Sequence, residues 1–418
     1  MITLMKKTGL LFGFLLSTFC VMVNAVEFTD DSLQYQNSLR DSYREQWIAT
    51  WATPPTAAGT AFEPPKIFDN QTIRQTVRVS LGGQRFRIRI SNAFGTQALK
   101  IGAAHLALQS TGAAIVPGSD RTLKFSGLPS ISIPAGAVVL SDPIDLSVAA
   151  QTVLAVSIYV PVNTGPATYV EGVNQNTYIS EPGNHTGATN LPVAETVTSN
   201  YFLAVVEVSA RKNSGVVIAF GDSVTKGATP TNWPGFLFGR FNANYTTQKL
   251  AVVNQGIGCN RILHDFCGPG AAARFDRDVL AITGATHVIV ALGLVDIISP
   301  TVSGNVSEVV TASDIIVGLK QFIERARAKG LKVYGATITP FGDSIFGVYT
   351  PENEATRTAV NRWIRTSGAY DGVIDFDKAV RDPSDPKRFW PIYTIDGIHP
   401  NDAGNELMAN AIDLALFE

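Results

Sequence analysis

Apolar and polar positions follow two different rhythms along this chain, and the change falls near residue 212. Before it, short runs carry apolar residues at every second position, with Pro and Gly between the runs. Period two is the mark of a strand with one buried face. In 85–90, Phe86, Ile88 and Ile90 share one face and Arg85, Arg87 and Arg89 the other. With 76–80 and the intervening Gly82-Gly83, this predicts a β-hairpin closed by a two-residue turn. The arginine row reads as a solvated or domain-facing surface in preference to a site for an acidic ligand. Further strands are predicted near 101–108, 121–125, 129–133, 137–141, 152–160 and 200–208. They make 51–210 an all-β sandwich.

From residue 214 onward strand-like runs alternate with helical stretches. The runs are 216–220, 250–253, 287–292, 331–338 and 373–376. Alternation of strands and helices over the whole of this region argues for a parallel sheet covered on both sides. The clearest helix is 314–329, where Ile315, Ile316, Leu319, Phe322, Ile323 and Ala326 form one apolar stripe. Ser313 or Asp314 is placed to cap its start, and Gly330 to end it. This predicts an α/β domain over 214–418.

A chain of 418 residues is long enough for these two domains. Residues 1–25 have the form of a secretory signal. Lys6 and Lys7 precede an apolar run, 10–23, that is too short to span a bilayer, and Val23-Asn24-Ala25 offers small residues for cleavage. Cys20 follows Phe19, which does not make a lipoprotein site. An exported protein follows, secreted or periplasmic, with no membrane span in the mature chain. Residues 26–50 are a polar lead-in, partly helical. Lys plus Arg (33) nearly balance Asp plus Glu (35), so no basic excess points to nucleic acid or an anionic membrane. After cleavage only Cys259 and Cys267 remain, eight residues apart in a Gly-rich loop. In an oxidising compartment they can join or stay as free thiols; spacing alone does not decide.

One stretch carries candidate chemistry. Ser223, in Gly221-Asp-Ser, sits where the strand 216–220 ends and a helix begins. In a parallel sheet that edge binds ligands, and the free N–H groups of a helix start point at whatever the serine attacks. The tripeptide is ordinary turn chemistry by itself. Gly342-Asp-Ser344 repeats it beyond Pro340 with no helix after it, and reads as a loop. A serine nucleophile needs a base. Of the five histidines, His105, His185 and His264 fall in unrelated strands and loops, and His287 opens a buried strand. His399 differs: Asp396 stands three residues before it, in a loop leading to a terminal helix that begins at Pro400. An Asp so placed can hold Nδ1 and leave Nε2 to take the serine proton.

Four ordered blocks now resemble a known family. They are Gly-Asp-Ser at Ser223, the loop Asn254-Gln-Gly-Ile-Gly-Cys-Asn260, Gly293-Leu-Val-Asp296, and Asp396-Gly-Ile-His399. Together they resemble the SGNH (GDSL) hydrolases over 214–418. The β-domain resembles the one that precedes the hydrolase in a secreted bacterial subgroup, on Ser80-Leu-Gly-Gly and Ile90-Ser-Asn-Ala-Phe-Gly95. The resemblance implies a flavodoxin-like three-layer α/β/α fold and ester hydrolysis through an acyl-enzyme, with no metal or cofactor. It implies Ser223 as nucleophile, His399 as base and Asp396 as acid. The Ser223 and Cys259 backbone N–H groups would form the oxyanion hole, with a Cys259–Cys267 bridge holding the loop. Two positions depart from the family pattern. Cys259 stands where Gly is usual, and Val295 replaces the Asn of Gly-x-Asn-Asp. Valine has no side-chain donor, and a lost oxyanion donor typically costs ~10²–10³ in turnover. Asn260 is the candidate to replace it. Three functions are compatible: an esterase for small acyl groups on carbohydrate or aryl alcohols, a lipase or phospholipase, and a weakened hydrolase that binds glycans.

Overall fold

The computed structural model describes residues 45–59, 64–172, 175–229 and 231–418. The expected signal, 1–25, lies outside them, as does most of the expected lead-in. The first strand, Glu45–Ala52, begins inside that lead-in. Its apolar Ile48 and Ala49 are fully buried, which explains its place in a sheet.

The N-terminal half is antiparallel throughout. One sheet joins Glu45–Ala52, Leu203–Arg211, Gly83–Ser91 and Val138–Leu140, with Ile144–Val148 also on Gly83–Ser91. The other runs Val193–Val197, Thr177–Pro182, Gln71–Arg78, Val153–Val160, Ala103–Leu108, Arg121–Leu123. One hydrophobic cluster takes Phe86, Ile88 and Val206 from the first sheet and Ile73, Val77 and Val156 from the second, which is how two sheets share a sandwich core.

The expected hairpin is not formed. Gln71–Arg78 and Gly83–Ser91 lie in different sheets. The chain changes sheet at 79–80, where Val79 donates to the Thr152 carbonyl and Ser80 to the Thr50 carbonyl. Gly82 allows this crossing because a side chain there would begin 2.2 Å from the Val148 carbonyl oxygen. The arginine row faces the other half of the protein. Arg87 and Arg89 pair at 2.6 and 3.0 Å with Glu207, which is fully buried, and Arg89 also donates to the Ala281 carbonyl at 3.2 Å.

The C-terminal half is built on five parallel strands. Their order is Leu250–Gly256, Gly215–Gly221, Ala285–Ala291, Lys332–Ala336, Gly372–Ile374. Counted along the chain this is the flavodoxin-like order 2-1-3-4-5. Helix Ala312–Arg327 buries Ile315, Leu319, Phe322, Ile323 and Ala326 against the sheet. Its cap is Thr311, not Ser313 or Asp314. Asp314 instead reaches back to the Thr311 N–H, completing a reciprocal capping box. The last long helix is Asp402–Asn410, capped by Asn401. Pro400 precedes it and bridges to Thr394, so the helix starts two residues later than expected. Among the described residues no helix is long and apolar enough to cross a membrane.

Candidate active site

The strand Gly215–Gly221 is buried along its whole length and delivers Asp222 and Ser223 to the carboxyl edge of the sheet. The Asp222 side chain accepts the Val224 N–H at 2.9 Å and caps the short helix Ser223–Lys226. The turn is packed too closely for side chains on its neighbours. A first side-chain carbon at Gly256 would lie 2.3 Å from the Lys226 nitrogen, and one at Gly221 would lie 2.0 Å from Thr225 Oγ1.

The loop 394–400 supplies the partners. Thr394 Oγ1 donates to the His399 carbonyl at 2.8 Å, and Ile395 N–H donates to the same carbonyl at 3.0 Å. Inside this tight loop the Asp396 carboxylate is fully used. Oδ1 accepts the N–H groups of Ile398 and His399 at 2.9 and 2.7 Å, and Oδ2 faces His399 Nδ1 at 2.6 Å. The other ring nitrogen, Nε2, stands 2.8 Å from Ser223 Oγ. Three residues drawn from positions 176 apart thus form one hydrogen-bonded chain. Burial raises the Asp396 carboxyl, but the bonds from the His399 ring and from the two N–H groups outweigh it and hold the group below its ordinary value.

The loop 257–270 forms the facing wall. Cys259 has φ +53°, the left-handed region, where an L-residue costs about 1–2 kcal/mol and Gly is at ease. This gives a backbone reason for Gly to be usual there. Cys259 is joined to Cys267 with their Cα atoms 5.5 Å apart. Among the described residues, no protein acceptor takes the backbone N–H of Ser223 or of Cys259.

Asn260 is buried, and its side chain serves the loop. Nδ2 donates to the Pro269 carbonyl at 2.9 Å, while Oδ1 accepts from Arg274 Nε and Nη2 at 3.0 and 2.8 Å. Arg274 was not legible as a site residue. It is fully buried, lies over the Phe220 ring, and also binds the carbonyls of Gln255 and Gly221. Burial lowers its pKa to about 10, against the pull of Asp278. The Asp296 carboxylate is also fully buried and accepts the N–H groups of Ile262 and Leu263, at 2.8 and 3.2 Å for the nearest oxygens. The third block therefore holds the second. Val295 beside it is buried and brings no donor.

The remaining candidates lie elsewhere. His105 pairs with Asp120 in the antiparallel half. His287 stacks on Tyr334 and meets the edge of Phe417, and burial pushes it down to about 4. Ser344 is half-buried in a loop, where its Oγ accepts the Phe346 N–H. Among the described residues no cluster of three His, Cys, Asp or Glu could hold a metal ion.

Residues 219–407 match the model of the GDSL-like lipase/acylhydrolase family. No curated protein matches the chain. Similar solved structures include an acetyl xylan esterase at 22% identity, covering 47% of this chain and 96% of that one, with a TM-score of 0.38. A catalytic mutant of an acetylxylan esterase from Geobacillus stearothermophilus is similar at 19% identity, covering 49% and 95%, with a TM-score of 0.39. The aryl esterase of M. smegmatis is similar at 17%, covering 47% and 96%, with a TM-score of 0.38. The match over 219–407 falls within the α/β half of this chain, and it is that half which is similar to the GDSL-like lipase/acylhydrolase family.

Proposed function

We propose that this protein is an exported serine esterase that cleaves short acyl groups from carbohydrate or aryl alcohols, with Ser223 as nucleophile. The observation that carries the reading is the unbroken chain from Asp396 Oδ2 through His399 to Ser223 Oγ, with separations of 2.6 and 2.8 Å. In this mechanism His399 Nε2 takes the Oγ proton as Oγ attacks the acyl carbon. The imidazolium, steadied by Asp396, then returns that proton to the departing alcohol. Water repeats the sequence on the acyl-enzyme and releases the acid. The oxyanion is held by the Ser223 and Cys259 N–H groups, fixed before reaction by the helix start and the bridged loop. On this reading the hole has two backbone donors; Val295 adds none, and the Asn260 amide gives one of its two hydrogens to the Pro269 carbonyl. Export by the signal at 1–25 agrees with the Cys259–Cys267 bridge, since disulfides persist in oxidising compartments.

A lipase-type reading has one observation in its favour. Leu263, Phe266, Ile345 and Phe346 are exposed on the segments that follow the strands Leu250–Gly256 and Lys332–Ala336 at the carboxyl edge of the sheet, apolar surface suited to long acyl chains. Hydrolysis of a chain-length series of p-nitrophenyl esters tests the two. The esterase reading predicts the highest kcat/KM at acetate to butyrate. A rate that climbs to long chains supports the lipase. No hydrolysis at any length overturns both and leaves the weakened, glycan-binding member.

A further inference from the structure

A cleft of about 720 Å³ runs along the seam between the antiparallel half and the strand Leu250–Gly256, the edge of the parallel sheet. Ser80 closes that edge: its Oγ accepts the Val252 N–H at 3.0 Å and donates to the Val252 carbonyl at 2.7 Å. The space left beside it has the size of a ligand site, and seams of this kind are where such sites occur.

Its lining has an unusual charge. Arg78, Lys226 and Arg240 border it, and no Asp or Glu does among the described residues. The chain as a whole carries a net charge of −2, so this is a local excess and not a general one. Arg78 donates to the Gln151 carbonyl, and Arg240 to the carbonyls of Ala409 and Ile412. The Arg78 contact positions a guanidinium without neutralising it, whereas Arg240 also feels the Asp413 carboxylate. Trp51 and Phe236 give the cleft aromatic surface, and Gln175 and Asn232 give it amides. Fixed cations recognise carboxylates, aromatic faces accept flat apolar surface, and amides suit hydroxyls.

Lys226 connects this cleft to the serine. It closes the short helix that Ser223 opens. Its Nζ lies 3.4 Å from where a side chain at Gly258 would begin, next to Cys259. The Glu171 carboxylate lies 3.9 Å from the same point, so the anion competes with Glu171 at this end and meets no acid at the Arg78 end.

We propose that the cleft binds an acidic glycan, an oligosaccharide bearing uronate carboxylates, and presents its esterified end to Ser223. Delivery to Ser223 rests on the esterase reading; binding does not. The test is therefore a titration that needs no turnover. Ser223→Ala protein is titrated with an oligogalacturonate, with a neutral gluco-oligosaccharide of equal length, and with an oligoglutamate peptide. The oligogalacturonate should bind at least about tenfold more tightly than either, as expected for one or more charge-assisted contacts, and should weaken as salt is raised. Arg78 is exposed at the end of its strand, so Arg78→Glu in the same background should keep the fold and weaken oligogalacturonate binding about tenfold or more. Equal affinity for the neutral glycan, equal or tighter binding of the peptide, or indifference to Arg78→Glu would each overturn the proposal. Hydrolysis of p-nitrophenyl acetate by the unmodified enzyme reports separately on the esterase reading.

Discussion

Ile345 donates its backbone N–H to the Asp396 carbonyl at 3.1 Å, so the second Gly-Asp-Ser of the chain braces the loop that orients the first. The two loops touch closely. Gly397 has φ +83°, and a side chain there would begin 2.6 Å from the Asp343 carbonyl oxygen and 2.8 Å from Ser344 Cα. Asp343 is itself held by Arg388 at 2.9 Å.

This contact separates backbone from side chain. Gly397→Ala should lower both kcat and Tm, by roughly 1–3 kcal/mol in stability, because the strain and the clash both fall on the loop carrying Asp396. Ser344→Ala removes a half-buried hydroxyl that accepts the Phe346 N–H at 3.2 Å within its own turn, and should leave both nearly unchanged. Steady-state kinetics with a melting curve for each variant checks the pair. An unaffected Gly397→Ala enzyme would mean that the brace does not matter.

The oxyanion hole gives a second comparison. If the proposed hole has only its two backbone donors, Val295→Asn should raise kcat about tenfold with little change in KM, since the gain is realised in the transition state. Asn260→Ala should lower Tm as well as kcat, because it releases Arg274 and Pro269. If Asn260 were itself the third donor, its loss would cost ~10²-fold in kcat with Tm preserved, and Val295→Asn would do little.

The bridged loop should contain no free thiol in the folded protein, and titration without reductant checks this. Reduction frees Cys259 from Cys267 in the wall that carries the Cys259 N–H. Turnover should therefore fall more than Tm, since a short bridged loop contributes little chain entropy.

The pH dependence of stability tests Asp222. Burial pushes its carboxyl up to about 7, aided by Asp296 and opposed by the Val224 N–H and His399. The folded protein therefore keeps this proton at a pH where the unfolded chain, near the ordinary value of about 4, has released it. Its contribution to stability is present at low pH and is lost as pH rises from about 4 to about 7. Asp222→Asn keeps an acceptor for Val224 and has no proton to lose. Its Tm relative to the parent should rise across that window and level off above it; a flat difference would contradict the burial argument.

Much of this was legible in the sequence, and the reasons for the rest are physical. The five parallel strands stood out because short apolar runs, 216–220 the clearest, alternate with helical stretches. Ser223, Asp396 and His399 stood out because each lies in a short block whose spacing limits its partners. The Gly82-Gly83 crossing did not, since a Gly pair fits a turn or a sheet change equally well; the choice depends on Thr50 and Thr152, which are distant in sequence. The Thr311 cap was missed because three adjacent residues could each cap, and only the reciprocal bond from Asp314 decides. Arg274 could not be found at all. Its role is set by carbonyls on two other elements, and no local pattern records them.

The central claim is that Ser223, and no other serine, attacks the ester. A serine-directed fluorophosphonate, followed by peptide mass mapping, tests it most directly. The account predicts stoichiometric labelling at Ser223 in the unmodified protein and in Ser344→Ala, and none in Ser223→Ala. Labelling that persists in Ser223→Ala, or that maps to another residue, would contradict it.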